Sequence, residues 1–228
     1  EVLDAMRPWQ ETLSANPSGS HRAARTAQRA VDEAREVIAA ELGVQAGDVV
    51  FTGGGTESDN YAISGSVRAR GGTAVCSAVE HHAVLDPVEH HAGRTVAVTA
   101  DARVDVDDLR CVLDSMTSAG QEIAVVSVMA VNNEVGSCND IAEVASVVRA
   151  HVPDAWLHTD AVQAACWIDL SELTQHVDFL SLSAHKFGGP KGVGITVVSN
   201  GVTPEPLMRG GGQERGRRSG TIDVAGVV

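Results

Sequence analysis

The sequence predicts an α/β domain: a mainly parallel sheet covered by helices on both faces. Short runs rich in Val, Ile and Ala alternate with longer segments whose apolar residues recur at helical spacing, the order expected of βαβ units. At 228 residues the chain is long enough for one good-sized core. With 43% hydrophobic residues, 23 glycines and only 3% aromatics, that core must be built from Ala, Val, Leu and Ile, joined by many tight turns.

Taken in order, Glu1 to Met6 reads as helix. Residues 20–42 place Ala23, Ala27, Ala30, Val31, Ala34, Val37, Ile38 and Leu42 on one helical face, closed by Gly43. Val49 to Thr52 is a short β-rich run that ends in Gly53-Gly54-Gly55. Thr56-Glu57-Ser58-Asp59 fits a capping box, so the next helix is predicted to start at Thr56. Strands are then predicted at 74–77, 94–99, 123–131, 155–159, 179–182 and 194–198. Helices are predicted at 82–92, 105–116 and 140–151. Sheets of this kind hold ligands at the carboxyl ends of their strands, and each chemistry-bearing motif here follows a predicted strand.

Composition excludes several classes. A formal net charge of −13 argues against nucleic acid or an anionic membrane surface as partner. No run of 18 apolar residues and no charged-then-apolar leader occurs, so a cytoplasmic location is expected. The four cysteines stand far apart, without metal-ligand spacing, and Cys76 and Cys166 read as packed thiols. His81-His82 and His90-His91 are adjacent pairs, which point to different faces of a helix, so no metal is expected. The chain has no initiator methionine, and Val224 to Val228 ends it on apolar residues without a capping signal. A piece of a longer polypeptide is expected.

Of the 17 basic residues only two are lysines, Lys186 and Lys191, both in Ser183-Ala184-His185-Lys186-Phe187-Gly188-Gly189-Pro190-Lys191-Gly192. An amine differs from a guanidinium in that it can lose its proton and condense with a carbonyl. Gly53 to Ser58 reads as a phosphate cradle at a helix N-terminus or as a plain tight turn. Asp160, in His158-Thr159-Asp160-Ala161-Val162-Gln163, reads as a helix N-cap or as the partner of a buried cation.

The lysine segment resembles the S-x-H-K-x-x-G-P-x-G-x-G pattern of pyridoxal-phosphate (PLP) enzymes of the class V aminotransferase group, and within it the cysteine desulfurases. It is met by Ser183, His185, Lys186, Gly189, Pro190, Gly192 and Gly194. Gly54-Gly55-Thr56-Glu57-Ser58 is similar to G-x-T-E-S, Asn132-Asn133-Glu134-Val135-Gly136 to N-N-E-x-G, and His158 to Gln163 to H-x-D-A-x-Q. Gly210 to Thr221 resembles a G-G-x-Q/H-E-x-x-x-R-S-G-T loop.

The resemblance implies the large domain of the three-layer PLP-transferase fold type I over residues 14–228, after an N-terminal helical segment at 1–13, with the C-terminal small domain absent. It implies PLP as cofactor, joined to Lys186. Gly55, Thr56, Ser183 and His185 would hold its phosphate and Asp160 its pyridine nitrogen, while Asn133 and Gln163 would hold its phenolic oxygen. His81 would stack on the ring and move protons. Thr221 would reach the phosphate of the neighbouring subunit in a homodimer. The implied reaction takes L-cysteine to alanine and passes sulfur to an enzyme thiol, then to an acceptor or scaffold protein for iron-sulfur clusters or thio-cofactors. The family's nucleophilic cysteine lies beyond residue 228, and Cys138 stands in a loop at a different position. Another class V aminotransferase, a selenocysteine lyase, or a non-catalytic PLP-domain partner in sulfur transfer would use the same cofactor residues.

Overall fold

The computed structural model describes residues 1–228. Its strands are β1 (Val49–Thr52), β2 (Thr73–Ser77), β3 (Arg94–Val96), β4 (Ile123–Ser127), β5 (Trp156–Asp160), β6 (Phe179–Ser183) and β7 (Gly194–Val198). They form one sheet in the order β1-β7-β6-β5-β4-β2-β3. Every pair from β6 to β3 is parallel. Only β7 runs the other way, antiparallel to both β1 and β6.

The helices are α1 (Val2–Glu11), α2 (Arg22–Glu41), α3 (Gly55–Arg70), α4 (His82–His90), α5 (Val106–Ser118), α6 (Ile141–His151), α7 (Leu170–Thr174) and α8 (Val224–Val227). Successive strand residues face opposite ways, and both faces are covered. Val50, Phe179 and Val198 pack with Tyr61 of α3, while Ala74, Cys76 and Val125 pack with Ile63 of α3 and with Val84 and Val88 of α4. The alternate residues Val49, Phe51, Val75, Val126, Leu180 and Val197 share the main core with Val31 of α2, Leu113 of α5 and Val148 of α6. Double-sided burial is why the strands read as continuous apolar runs.

Four expectations are corrected. α3 starts at Gly55, with Gly54 at its N-cap and no side-chain cap there, so Thr56 lies inside the first turn. The carboxylate that reaches back is Glu57, whose Oε2 accepts from Gly53 N–H at 2.8 Å. The strand expected through Val131 stops at Ser127, because β2 ends alongside it. Residues 128–131 keep β5 on one side only, through Val128 and Ala130 N–H donating to the His158 and Asp160 carbonyls. β3 is likewise only three residues long, since the chain folds back through a Val98–Val104 bridge. At the C-terminus the Asp223 side chain accepts from Gly226 N–H and caps the start of α8. Cys166, expected to be packed, is exposed, whereas Cys76 is buried.

Candidate active site

Loops after β1, β2, β4, β5 and β6 meet at the carboxyl ends of the parallel strands around a cavity of about 200 Å³. The order of the sheet brings them there, although the contributing residues span positions 55 to 186.

After β1 the chain turns through Gly54, whose φ of 142° is accessible to glycine alone at little cost. Gly55 and Thr56 line the cavity. They open a helix of 16 residues, so the unpaired first-turn N–H groups and the positive dipole end face an anion site. The reversed strand β7 starts beside this turn. A Cβ at Gly194 would lie 2.5 Å from the Gly54 carbonyl carbon, so the cradle requires glycine on both segments. Ser183, at the end of β6, shares a 2.8 Å hydrogen bond with His185 Nδ1, and both residues line the cavity with Lys186.

After β2, His81 caps α4: its Nδ1 accepts from Ala83 N–H at 3.0 Å, which leaves Nε2 to carry the proton of the neutral ring. The preceding Glu80 is buried. Its Oε1 accepts from Ser77 Oγ at 2.6 Å and from Met129 N–H at 2.7 Å, tying the loop after β2 to the end of β4. Burial pushes the Glu80 carboxyl up to about 8. Asn132 is structural: its Oδ1 accepts from Glu134 and Val135 N–H, and its Nδ2 donates to the Val79 carbonyl. Asn133 lines the cavity, as does Gln163.

Asp160 ends β5 and is 5% exposed. Its Oδ1 accepts from Val162 N–H at 2.8 Å, so it holds its own turn as well as facing the cavity. Burial, and next the neighbouring Asp59 carboxylate, push it up to about 7. A buried carboxylate in this state favours a cationic partner.

Nine of the ten site residues named from the sequence therefore line one cavity: Gly55, Thr56, His81, Asn133, Asp160, Gln163, Ser183, His185 and Lys186. Thr221 is exposed and lies outside it. Sequence reasoning missed Asp59, which lines the cavity from α3, and His158, which is fully buried between Ser127 and Ser181. His158 is the first fixed position of H-x-D-A-x-Q but was given no role there, and Asp59 lies one residue past G-x-T-E-S. An anion cradle, an amine and a buried carboxylate converge, and this donor set fits pyridoxal phosphate. A larger hollow of about 630 Å³ at the amino ends of the strands, lined by Arg70, Glu122, His151 and Asp154, holds none of these groups.

The profile of the aminotransferase class-V family matches residues 1–228. The chain is 43% identical over 240 residues to the IscS-like cysteine desulfurase of Mycobacterium tuberculosis, covering 100% of this chain and 59% of that protein. To the cysteine desulfurase IscS of Dictyoglomus turgidum it is 39% identical over 236 residues, covering 100% of this chain and 58% of that protein. A solved NifS-like protein superposes with a TM-score of 0.92 at 35% identity, over 99% of this chain and 62% of the other. A structure described as SspA in complex with cysteine gives a TM-score of 0.87 at 34% identity, over 99% and 66%. The chain thus spans somewhat under two thirds of the length of the relatives it matches first. On the whole-length profile match, and on a cavity assembled from the motifs of that family, the chain belongs to the class-V aminotransferases.

Proposed function

We propose that this chain is the cofactor-binding part of a PLP-dependent cysteine desulfurase. It would convert L-cysteine to alanine and deliver the sulfur to a protein thiol. The observation that carries this is the convergence of the Gly54–Gly55 cradle, Lys186 and Asp160 on one cavity. Cysteine desulfurases among the similar proteins support the choice of substrate.

Bound there, PLP would supply an electron sink for a carbanion at the substrate α-carbon. The residues of this chain would hold the cofactor and move the α-proton. The first turn of α3 with Ser183 and His185 would hold the phosphate. Asp160 would hold the protonated ring nitrogen, and Asn133 and Gln163 the phenolic oxygen. Lys186 Nζ would hold the cofactor and would be the base placed to take up the α-proton. His81, fixed by its own cap to α4, would lie against the ring and share in moving that proton.

No cysteine lines the cavity. Cys166 Sγ lies 4.0 Å from the Lys186 carbonyl oxygen but faces solvent. We therefore assign the sulfur-accepting thiolate to a segment or partner outside residues 1–228. We also propose a homodimer in which the loop ending at Thr221 completes the neighbouring site, and sulfur passage to an acceptor or scaffold protein for iron-sulfur clusters. No helix is long and apolar enough to cross a membrane. The four free cysteines suit a reducing compartment, and we place the protein in the cytoplasm.

Borohydride reduction of the protein loaded with PLP, followed by peptide mapping, tests the reading. The pyridoxyl label is expected on Lys186, and label on Lys191 alone overturns it.

A further inference from the structure

The floor of the cavity holds a second buried carboxylate. Asp59 lies on α3, just past the glycine turn, and is 1% exposed. It lines the same cavity as Asp160. Its Oδ1 has no hydrogen-bond partner, and His158 Nε2 stands 3.5 Å from it.

His158 brings Asp59 no charge. Its Nδ1 lies 2.8 Å from Ser127 Oγ and its Nε2 2.9 Å from Ser181 Oγ. Burial lowers it to about 4, so it is the neutral ring with one N–H. Beside Asp59 stand His158 of β5, at 3.5 Å, and the Ser181 hydroxyl of β6, while Asp160, His81, His185 and Lys186 line the same cavity. Lys186 is the one lysine or arginine among the cavity-lining residues. Two carboxylates confined in one low-dielectric site do not both ionise unless a cation joins them.

We propose that Asp59 is a positioning residue of this site: a second carboxylate that, together with Asp160, retains one proton and so sets the pH at which Asp160 becomes the anion a cationic ring requires. The inference rests on the reading of the cavity as a PLP site. Asp59 touches no reacting atom in this scheme and acts through Asp160. Burial holds both carboxyls well above the usual range, and the Ser181 hydroxyl partly offsets this at Asp59.

The test is a carboxyl-carbon NMR titration of Asp160 in the full 228-residue chain freed of cofactor, with PLP binding followed over the same pH range. In Asp59→Asn the Asp160 midpoint should fall by about one pH unit, and the pH profile of PLP affinity should move with it. If Asp59→Asn fails to fold, Ser181→Ala serves. Removing the hydroxyl makes Asp59 keep its proton more strongly, so the Asp160 midpoint should again fall. An Asp160 midpoint unmoved in a folded variant overturns the inference. Asp160→Asn is measured alongside: if it leaves PLP affinity and visible absorbance unchanged, the cofactor reading fails. If Asp160→Asn changes both while Asp59→Asn moves nothing, only the role of Asp59 fails.

Discussion

Arg35 Nη2 lies 2.6 Å from Glu214 Oε1, and the pair is buried. The second carboxylate oxygen accepts from Arg35 Nη1 and from the Phe51 N–H, each at 2.8 Å. One glutamate thus pins the loop before α8 to α2 and to β1, the strand that delivers the glycine cradle. Arg35 also donates to the Val49 carbonyl at 2.7 Å and sits over the Phe51 ring.

Glu214→Ala should therefore be severely destabilising, because it strands a buried guanidinium. Loss of about 3–5 kcal/mol is expected in denaturant unfolding. The double variant Arg35→Met with Glu214→Leu should recover most of it, since no charge is then left unpaired. Equal losses in the single and double variants would show that the pair is not the source.

Glu57 performs a smaller task nearer the site. It accepts from Gly53 N–H and from Arg218 Nε, both at 2.8 Å, joining the cradle to the C-terminal loop. Glu57→Ala should weaken PLP binding about tenfold, the worth of one hydrogen bond to a charged group. Binding of pyridoxal, which lacks the phosphate, should change little. Equilibrium titration with the two ligands separates the outcomes.

Gly194→Ala tests the close approach of β7 to the cradle. Its new Cβ would meet Gly54 backbone, which cannot rotate away as a side chain can. A stability loss of about 1–3 kcal/mol is expected, with loss of phosphate-dependent binding. Retained PLP affinity at wild-type stability would contradict the packing described.

The buried titratable groups set a pH dependence for the cofactor-free protein. Glu80, Asp160 and Asp59 have folded values raised to about 8, 7 and 7, above those of the unfolded chain. Between pH 5 and 7 the folded state thus holds protons that the unfolded chain has released, and stability falls as pH rises. His158, lowered to about 4, acts oppositely and partly offsets this below pH 6.5. Each net proton contributes roughly 1.4 kcal/mol per pH unit. Thermal unfolding should show the steepest loss near pH 6.5–7, and bound PLP should flatten it. Stability rising through that window would refute the assignment of these groups.

Thr221 is exposed and apart from the cavity of its own chain. If its loop serves a neighbouring copy, mixing Lys186→Ala with Thr221→Ala subunits should yield hybrids with one intact site. PLP loading should rise above that of either variant alone. Loading no better than the parents would count against sharing.

The chain alone should release no sulfide from L-cysteine at an enzymatic rate. Positioning a nucleophile is worth roughly 7–11 kcal/mol of barrier, and none of the four cysteines lines the cavity. Robust turnover that Cys138→Ser abolishes would relocate the thiolate.

The alternation of apolar runs and helical spacing determined the α/β architecture, because burial on both sheet faces forces each strand to be apolar along its length. The residues around Lys186, Asp160 and His81 were legible through their resemblance to a known family's motifs, since spacing alone left Asp160 open as a helix cap and His81 as a surface residue. Strand order was not legible, and neither was the reversal of β7, since pairing joins residues far apart in sequence. The roles of Glu57, Glu80 and Glu214 were equally hidden. In sequence each is an ordinary charged residue, and only the approach of Gly53, Met129 or Arg35 in space decides whether its carboxylate is solvated or buried and bonded. Asp59 and His158 were brought within 3.5 Å of each other in the same way, by the packing of α3 against β5. Local pattern thus carried what each residue could be, while desolvation, which depends on everything packed around a group, decided what it is.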